Sequence, residues 1–96
     1  MKITDIKTVL AFGGRQNWLF VQVETDEGIT GIGEASLEGK EVAVQGAVGD
    51  LARFIIGEDP TRVEYLWQIM YRHGFWRGGV VLNTAISGIE QALWDV

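Results

Sequence analysis

Hydrophobic and polar residues alternate with a period of two at residues 18–25. Residues 2–10 and 29–36 are also typical of strands, so the first third of the chain predicts three β-strands. The sequence between the second and third strands is Asp-Glu-Gly at residues 26–28. This is typical of a short turn, in which the glycine can adopt a positive φ. We therefore expect the second and third strands to form an antiparallel hairpin.

Two glycines lie on one face of the predicted third strand. Gly31 and Gly33 are separated by one residue, so both point to the same side of the sheet. Glycine weakens a strand and usually marks a bulge or the close approach of another backbone. The pair therefore predicts either a bulge or the close approach of another backbone on this face.

The rest of the chain has helical periodicity. Apolar residues recur at intervals of three and four over residues 40–56, and Gly57 is a natural C-terminal stop. Asp59 then has the character of an N-cap, followed by Pro60 at the first helical position, and the second helix ends near Gly74. A third helix is expected to begin near Leu82 or Asn83 and to run to the end of the sequence. Strands followed by helices predict an α+β fold, a three-stranded antiparallel sheet followed by a three-helix bundle.

Composition narrows the functional classes. The 96 residues suffice for one small domain, and 47% of them are hydrophobic. The net charge of −5 argues against nucleic acid as a partner. No apolar run is long enough for a membrane span and the first residues lack a signal-peptide core, so we expect a cytoplasmic protein. The last helical pattern stops in mid-period, which predicts that the chain is part of a longer one.

The sequence has no evident catalytic constellation. It contains no cysteine and a single histidine, His73, so a cysteine–histidine metal site is impossible. The glycine pairs do not match a phosphate-binding loop, and no serine lies in a nucleophile elbow. We expect no catalytic residue and no metal ligand in these 96 residues. Two segments remain of interest: residues 11–17 suit either a flap over a ligand or a plain surface loop, and residues 72–79 suit an interface, an anion-contacting loop or core-filling aromatics.

Four phrases together resemble a known family. They are ETDEGITGIGEA at residues 24–35, GEDP at 57–60, FWRGG at 75–79 and AISGIEQALWDV at 85–96. In order and spacing they resemble the N-terminal domain of the mandelate racemase/muconate-lactonizing subgroup of the enolase superfamily. The third phrase, with SLEGK at residues 36–40, most resembles the acid-sugar dehydratases, in particular the galactonate and mannonate dehydratase-like members.

The resemblance implies a domain organisation and a chemistry. Residues 1–96 would be the capping domain, ending before a catalytic (β/α)₇β barrel of the same protein. That barrel would bind Mg²⁺ and carry the bases that remove the proton next to a sugar-acid carboxylate before water is lost. The 96 residues alone would then not be catalytic, although the parent protein would be a lyase, homo-oligomeric in its full length.

The resemblance also implies which residues meet the substrate. In this family two loops of the capping domain set specificity, and here they are residues 12–17 and 36–40. The substrate-binding residues implied are Glu38, Arg15, Trp18 and Trp76. Glu38 would lie over the distal end of the substrate, where a carboxylate can accept two hydroxyl hydrogens of a polyol chain.

Three alternatives stay open at this point. The chain could be a stand-alone small binding or interaction domain, the capping domain of a racemase or lactonizing enzyme, or a gene fragment without function. A continuation after residue 96 into alternating strands and helices would decide for the capping domain of an enzyme.

Overall fold

The computed structural model describes residues 1–12, 17–72 and 78–96. Three strands form one antiparallel sheet in the order β1-β2-β3: β1 is Ile3–Phe12, β2 is Asn17–Thr25 and β3 is Thr30–Glu34. In β2, Leu19, Val21 and Val23 have no exposed surface, while the residues between them are only half-buried. One face of the sheet is therefore buried, as the alternating pattern predicts, and the predicted antiparallel hairpin is confirmed.

Three helices follow the strands, so the predicted α+β fold is confirmed. They are α1 (Glu41–Ile55), α2 (Val63–Arg72) and α3 (Val80–Asp95). Helices α1 and α3 pack against the sheet, and α2 packs against α1 and α3. The core between these layers is almost entirely aliphatic; its largest fully buried side chains include Ile3, Leu19, Ile55, Leu66, Met70 and Ile89. No helix in the described parts of the chain is long and apolar enough to cross a membrane.

The segment after α1 attaches the helical layer to the start of β1. The helix ends at Ile55, and Gly57 follows with φ of 92°, which confirms it as the predicted stop. The N–H of Gly57 donates to the carbonyl of Ile3 (2.8 Å), and the N–H of Ile3 donates to the carbonyl of Glu58 (2.9 Å). The chain leaving α1 therefore pairs with the first residue of the sheet.

The predicted start of α2 is wrong by three residues. Asp59 and Pro60 have the character of a cap and a first helical residue, yet the helix begins at Val63. The Asp59 carboxylate instead accepts hydrogen bonds from the N–H (2.9 Å) and hydroxyl (2.7 Å) of Thr61. The backbone carbonyl of Asp59 accepts a hydrogen bond from the N–H of Arg62 (3.2 Å). Asp59 and Pro60 thus specify a tight turn that leads into the helix, because Thr61 and not the first turn of the helix donates to the Asp59 carboxylate.

The predicted start of α3, near Leu82 or Asn83, lies at least two residues too late. The helix begins at Val80 and not at Leu82 or Asn83. Gly78 and Gly79 have φ of 82° and 91°, a left-handed backbone that cannot belong to the helix, so the helix begins directly after them. The glycine pair is the signal in the sequence that places this boundary.

Close contact between β3 and α3 explains the glycines of the third strand. A Cβ at Gly31 would lie 2.7 Å from Cγ2 of Val96 and nearer still to the carbonyl oxygen of Ala92. A Cβ at Gly33 would overlap the carbonyl oxygen of Gly88 in the same way, and one at Gly88 would lie 2.5 Å from Cβ of Ala35. The predicted close approach is confirmed, and the helix contributes its own glycine to it.

Helix α3 also supplies acceptors to the free edge of β3. The N–H of Ile32 donates to the carboxylate of Asp95 (2.9 Å), and the N–H of Glu34 donates to the side-chain oxygen of Gln91 (3.3 Å). Asp95 and Gln91 are four residues apart and so lie on the same side of the helix. The distance between these two acceptors along the helix matches the distance between the N–H groups of Ile32 and Glu34, which both point away from β2.

We predict that Gly33→Ala strongly destabilises the protein. The added methyl group would meet backbone atoms of α3, which cannot move without separating the helix from the sheet, and overpacking of this kind costs about 3 kcal/mol or more. Gly46→Ala is the matched control, because Gly46 is exposed inside α1 with open space around it, and it should stabilise by about 0.5–1 kcal/mol. Urea unfolding would measure both. Equal midpoints for the two variants would contradict the close contact.

A second prediction concerns the turn before α2. The Thr61 hydroxyl, and then its N–H, hold the pKa of the Asp59 carboxyl below its ordinary value. Since the folded pKa lies below the unfolded one, this interaction stabilises the fold above about pH 3.9 and is lost as the pH falls through the folded pKa. Thr61→Val should raise the pKa of Asp59 in a carbon-detected NMR titration, and Thr84→Val on α3 should not. An unchanged midpoint in Thr61→Val would show that the hydroxyl is not the cause.

Candidate functional site

The end of β1, the start of β2 and the end of β3 lie together at one end of the sheet. Phe12, the last residue of β1, is paired with Asn17, the first residue of β2, so the connection between them starts and ends at this edge. β3 runs toward the same end, and just beyond it the N–H of Ala35 donates to the carbonyl of Leu19 (2.8 Å). The segment 36–40 therefore leaves the sheet beside the β1–β2 connection.

Ser36 attaches the second loop to the first residues of β2. Its hydroxyl oxygen accepts a hydrogen bond from the N–H of Leu19 (3.0 Å). Leu19 is fully buried, so this N–H has no access to water and needs a partner. Leu37 is half-buried and packs against the core. The start of the loop is thus fixed by one polar and one apolar contact.

Glu38 lies at the exposed apex of the same loop. The N–H of Lys40 donates to the carbonyl of Leu37 (2.9 Å), which closes a four-residue turn, and Gly39 has φ of 78°, as the third position of a type II turn requires. Glu38 is exposed, and no hydrogen bond or ion pair engages its carboxylate within the described residues. A carboxylate held there can accept hydrogen bonds from hydroxyl groups of a ligand.

Trp18 lies at the same end of the sheet as Glu38. It is the second residue of β2, is paired with Ala11 of β1 and is half-buried. Since Leu19 faces the helices, the side chain of Trp18 lies on the opposite face of the sheet. The other two predicted substrate-binding residues, Arg15 and Trp76, lie outside the described residues. The structure thus brings two of the four to one end of the sheet.

The beginning of α3 lies at this end too. The helix runs antiparallel to β3, because Gly31 contacts Ala92 and Val96 whereas Ala35 contacts Gly88. The residues before Gly88 therefore continue past the last residue of β3. Phe12 and Asn17, the segment 36–40 and the start of α3 therefore lie toward the same end of the domain.

The described residues do not form a metal site. No group of three histidine, aspartate or glutamate side chains converges among residues 1–12, 17–72 and 78–96. Hard cations such as Mg²⁺ are held by several oxygen ligands, so this part of the chain does not fit one. No chemical step is assigned to a metal on this chain.

Ser36 is the residue of the site that the sequence analysis missed. Its role depends on a contact with Leu19, 17 positions away, which no local pattern shows. The one available signal is a hydroxyl directly after a strand, a position where serine often accepts from a neighbouring backbone N–H.

Comparisons with known proteins agree on one family. The family described as mandelate racemase / muconate lactonizing enzyme, N-terminal domain, matches residues 2–96. D-galactonate dehydratase of Xanthomonas campestris pv. campestris (strain B100) is 53% identical over all 96 residues, which are 24% of that enzyme's length. The chain therefore spans about a quarter of this curated relative.

Solved structures give the same result. An enolase from Pantoea ananatis with bound D-gluconate and magnesium is 44% identical, with a TM-score of 0.90 over 97% of this chain and 23% of that one. A member of the enolase superfamily from Salmonella Typhimurium is 38% identical, with a TM-score of 0.91 over 97% of this chain and 25% of that one.

We predict that Ser36→Ala destabilises the site end of the sheet. The buried N–H of Leu19 would lose its acceptor, and leaving such a group unpaired costs about 1–3 kcal/mol. Ser87→Ala is the control: Ser87 is exposed on α3 and only accepts a hydrogen bond from Gln91 (3.3 Å). Hydrogen exchange at the Leu19 amide should accelerate in the first variant alone. Unchanged exchange there would mean that the loop is held by other contacts.

Proposed function

The chain belongs to the mandelate racemase / muconate lactonizing enzyme N-terminal domain family of the enolase superfamily, and from this we propose that it caps the active site of an acid-sugar dehydratase. The observation that carries the proposal is that the segment 36–40 leaves the sheet beside Phe12 and Asn17, with its start held by Ser36. Fixed loops that present polar side chains from a rigid scaffold are suited to recognising a ligand.

The substrate class follows from the named relatives. D-galactonate and D-gluconate are both six-carbon sugar acids, with a carboxylate at one end and a chain of hydroxyl groups behind it. In the proposed reaction the carbon next to the carboxylate loses its proton and the next carbon loses its hydroxyl group. Both leave as one water molecule, and the resulting enol tautomerises to the 2-keto-3-deoxy acid.

The chemical step is assigned to the part of the protein outside this chain. The relatives are about four times as long, and the described residues here form no group of three side chains that could hold a metal ion. Magnesium, which the Pantoea ananatis structure holds with D-gluconate, would be bound by that C-terminal domain. Residues 1–96 would then bind, orient and enclose the substrate.

Glu38 is the residue proposed to recognise the distal hydroxyl groups. It is exposed at the apex of a turn fixed at both ends, so its position is set by the loop and not by packing of its own side chain. An ionised carboxylate accepts hydrogen bonds only, which matches hydroxyl donors and disfavours a second anionic group. Trp18, Arg15 and Trp76 are proposed to complete the cover and exclude water.

We predict that Glu38→Ala in the full-length enzyme lowers kcat/KM for D-galactonate or D-gluconate by about 10- to 100-fold. A loss of this size corresponds to one or two charge-assisted hydrogen bonds of about 1.5–3 kcal/mol each, because water replaces part of the lost interaction in the variant. Folding should change by no more than about 0.5 kcal/mol, since the residue is exposed. Steady-state kinetics and thermal unfolding measure the two effects.

Two comparisons make this test specific. Asp50→Ala removes an exposed carboxylate from the middle of α1 and should leave kcat/KM unchanged. A four-carbon sugar acid lacks the distal hydroxyl groups, so Glu38→Ala and the wild type should turn it over at the same rate. Wild-type kinetics of Glu38→Ala on the six-carbon substrate would refute the proposed contact.

A further inference from the structure

A polar pair interrupts the apolar contact between α1 and β1. The side-chain N–H of Gln45 on α1 donates a hydrogen bond to the hydroxyl oxygen of Thr8 on β1 (2.8 Å). Both residues are half-buried, so the bond lies at the edge of the core and not in open solvent. Whereas α3 is bonded to backbone N–H groups of β3, α1 is joined to β1 by this pair of side chains.

The neighbours of both residues are apolar. Ile6 and Leu10, which lie on either side of Thr8 along the inner face of β1, pack against the core. Val44, the residue before Gln45 on α1, is fully buried. Apolar packing has no preferred direction, whereas a hydrogen bond requires a defined distance and angle between its two groups. The pair therefore specifies where along β1 the first turns of α1 lie.

The start of α1 continues the 36–40 loop. The N–H of Val44 donates to the carbonyl of Lys40 (2.9 Å), so the last residue of the loop already belongs to the first hydrogen-bonded turn of the helix. Gln45 is the next residue along the helix. Because the backbone of a helical turn is rigid, a side chain fixed at this position also fixes the end of the loop, and with it the turn that presents Glu38.

The partner of Gln45 lies on a strand that runs to the same end of the sheet. Thr8 is four residues before Phe12, the last residue of β1. The 36–40 loop is thus held at two places: its start is held to β2 by Ser36, and its end is held to β1 through the helix by the Gln45–Thr8 bond. Two attachments are needed, since a segment held at one end alone can still rotate about it.

We propose that Gln45 and Thr8 are positioning residues for substrate recognition, and that their hydrogen bond holds Glu38 where it meets the distal hydroxyl groups of a sugar acid. The inference rests on the proposed function, since it takes Glu38 to contact the substrate. Neither residue touches the substrate; the pair acts by fixing the start of α1 on β1. A carboxylate binds a hydroxyl group only within hydrogen-bond distance, so a small displacement of the loop loses much of the contact.

The experiment compares Thr8→Val with Thr8→Ser in the full-length enzyme, because strand stability and hydrogen bonding respond to these changes in opposite ways. Valine keeps the shape of threonine and favours strands but lacks the hydroxyl group, whereas serine keeps the hydroxyl group and favours strands less. With D-galactonate or D-gluconate, Thr8→Val should raise KM about 3- to 10-fold with little change in kcat, because the distal contact is present before and during the chemical step. Thr8→Ser should keep the wild-type constants.

Three comparisons make the kinetic test specific. Thr4→Val makes the same change at an exposed threonine of β1 and should leave KM unchanged. Gln45→Met removes the donor and should match Thr8→Val, and the double variant should lose no more than either single variant, because both remove the same bond. A four-carbon sugar acid lacks the distal hydroxyl groups, so all of these variants should turn it over at the wild-type rate.

Hydrogen exchange followed by mass spectrometry tests the positioning without any substrate. Peptides that cover residues 36–45 should exchange faster in Thr8→Val and Gln45→Met than in the wild type, because the start of α1 is no longer held on β1. Peptides from the last turn of α1, which ends at Ile55, should exchange at the wild-type rate. Unchanged exchange over residues 36–45 would overturn the proposal, and so would a lowered melting temperature with unchanged KM, which indicates a purely structural role.

Glu38→Ala separates the failure of this inference from the failure of the proposed function. If Glu38→Ala lowers kcat/KM for the six-carbon substrate and Thr8→Val leaves KM unchanged, other contacts hold the loop and the positioning role alone is wrong. If Glu38→Ala itself has wild-type kinetics, the proposed function fails and the positioning role fails with it. A KM that rises equally in Thr8→Ser and Thr8→Val would show that the hydroxyl group is not the cause, and would also overturn the proposal.

Discussion

The packing of α3 on β3 without intervening side chains is the contact on which the rest of the domain depends. Gly31 and Gly33 on the strand and Gly88 on the helix leave no room for a methyl group, so the two backbones touch. Such a contact gains dispersion energy over its whole length and permits little sliding, because a shift would bring side chains against glycine positions. The helix is thereby fixed in both direction and register along the strand.

The position of the candidate site follows from this contact. Once α3 is fixed on β3, its first turn lies beyond the end of the strand, near the loops that leave the sheet there. Ser36 then holds the second loop against β2, and Gly39 turns the chain so that Glu38 is presented to solvent. The aliphatic core supplies stability, while a few polar and glycine positions decide where the proposed recognition groups lie.

The sequence predicted those parts of the fold in which a local pattern has one physical cause. The alternation in β2 exists because one face is buried, and the glycines of β3 exist because a backbone approaches, so both predictions are confirmed. The start of α2 is predicted wrongly because the capping signal also specifies a turn, in which Thr61 takes the Asp59 carboxylate. The start of α3 is predicted about two residues late because the left-handed glycines before Val80 set the boundary. The contact between Ser36 and Leu19 is long-range, and no local pattern could predict it. The roles of Glu38, Arg15, Trp18 and Trp76 remain predictions.

The order of synthesis gives the pairing of α3 with β3 a further meaning. All three strands leave the ribosome before α3, and until Gln91 and Asp95 follow, the N–H groups of Ile32 and Glu34 have no partner from the helix. An open strand edge of this kind is a template on which another nascent chain can add a strand. Asp95 therefore completes the cover of this edge of the sheet, and the edge stays open from the appearance of β3 until the last turn of α3 follows.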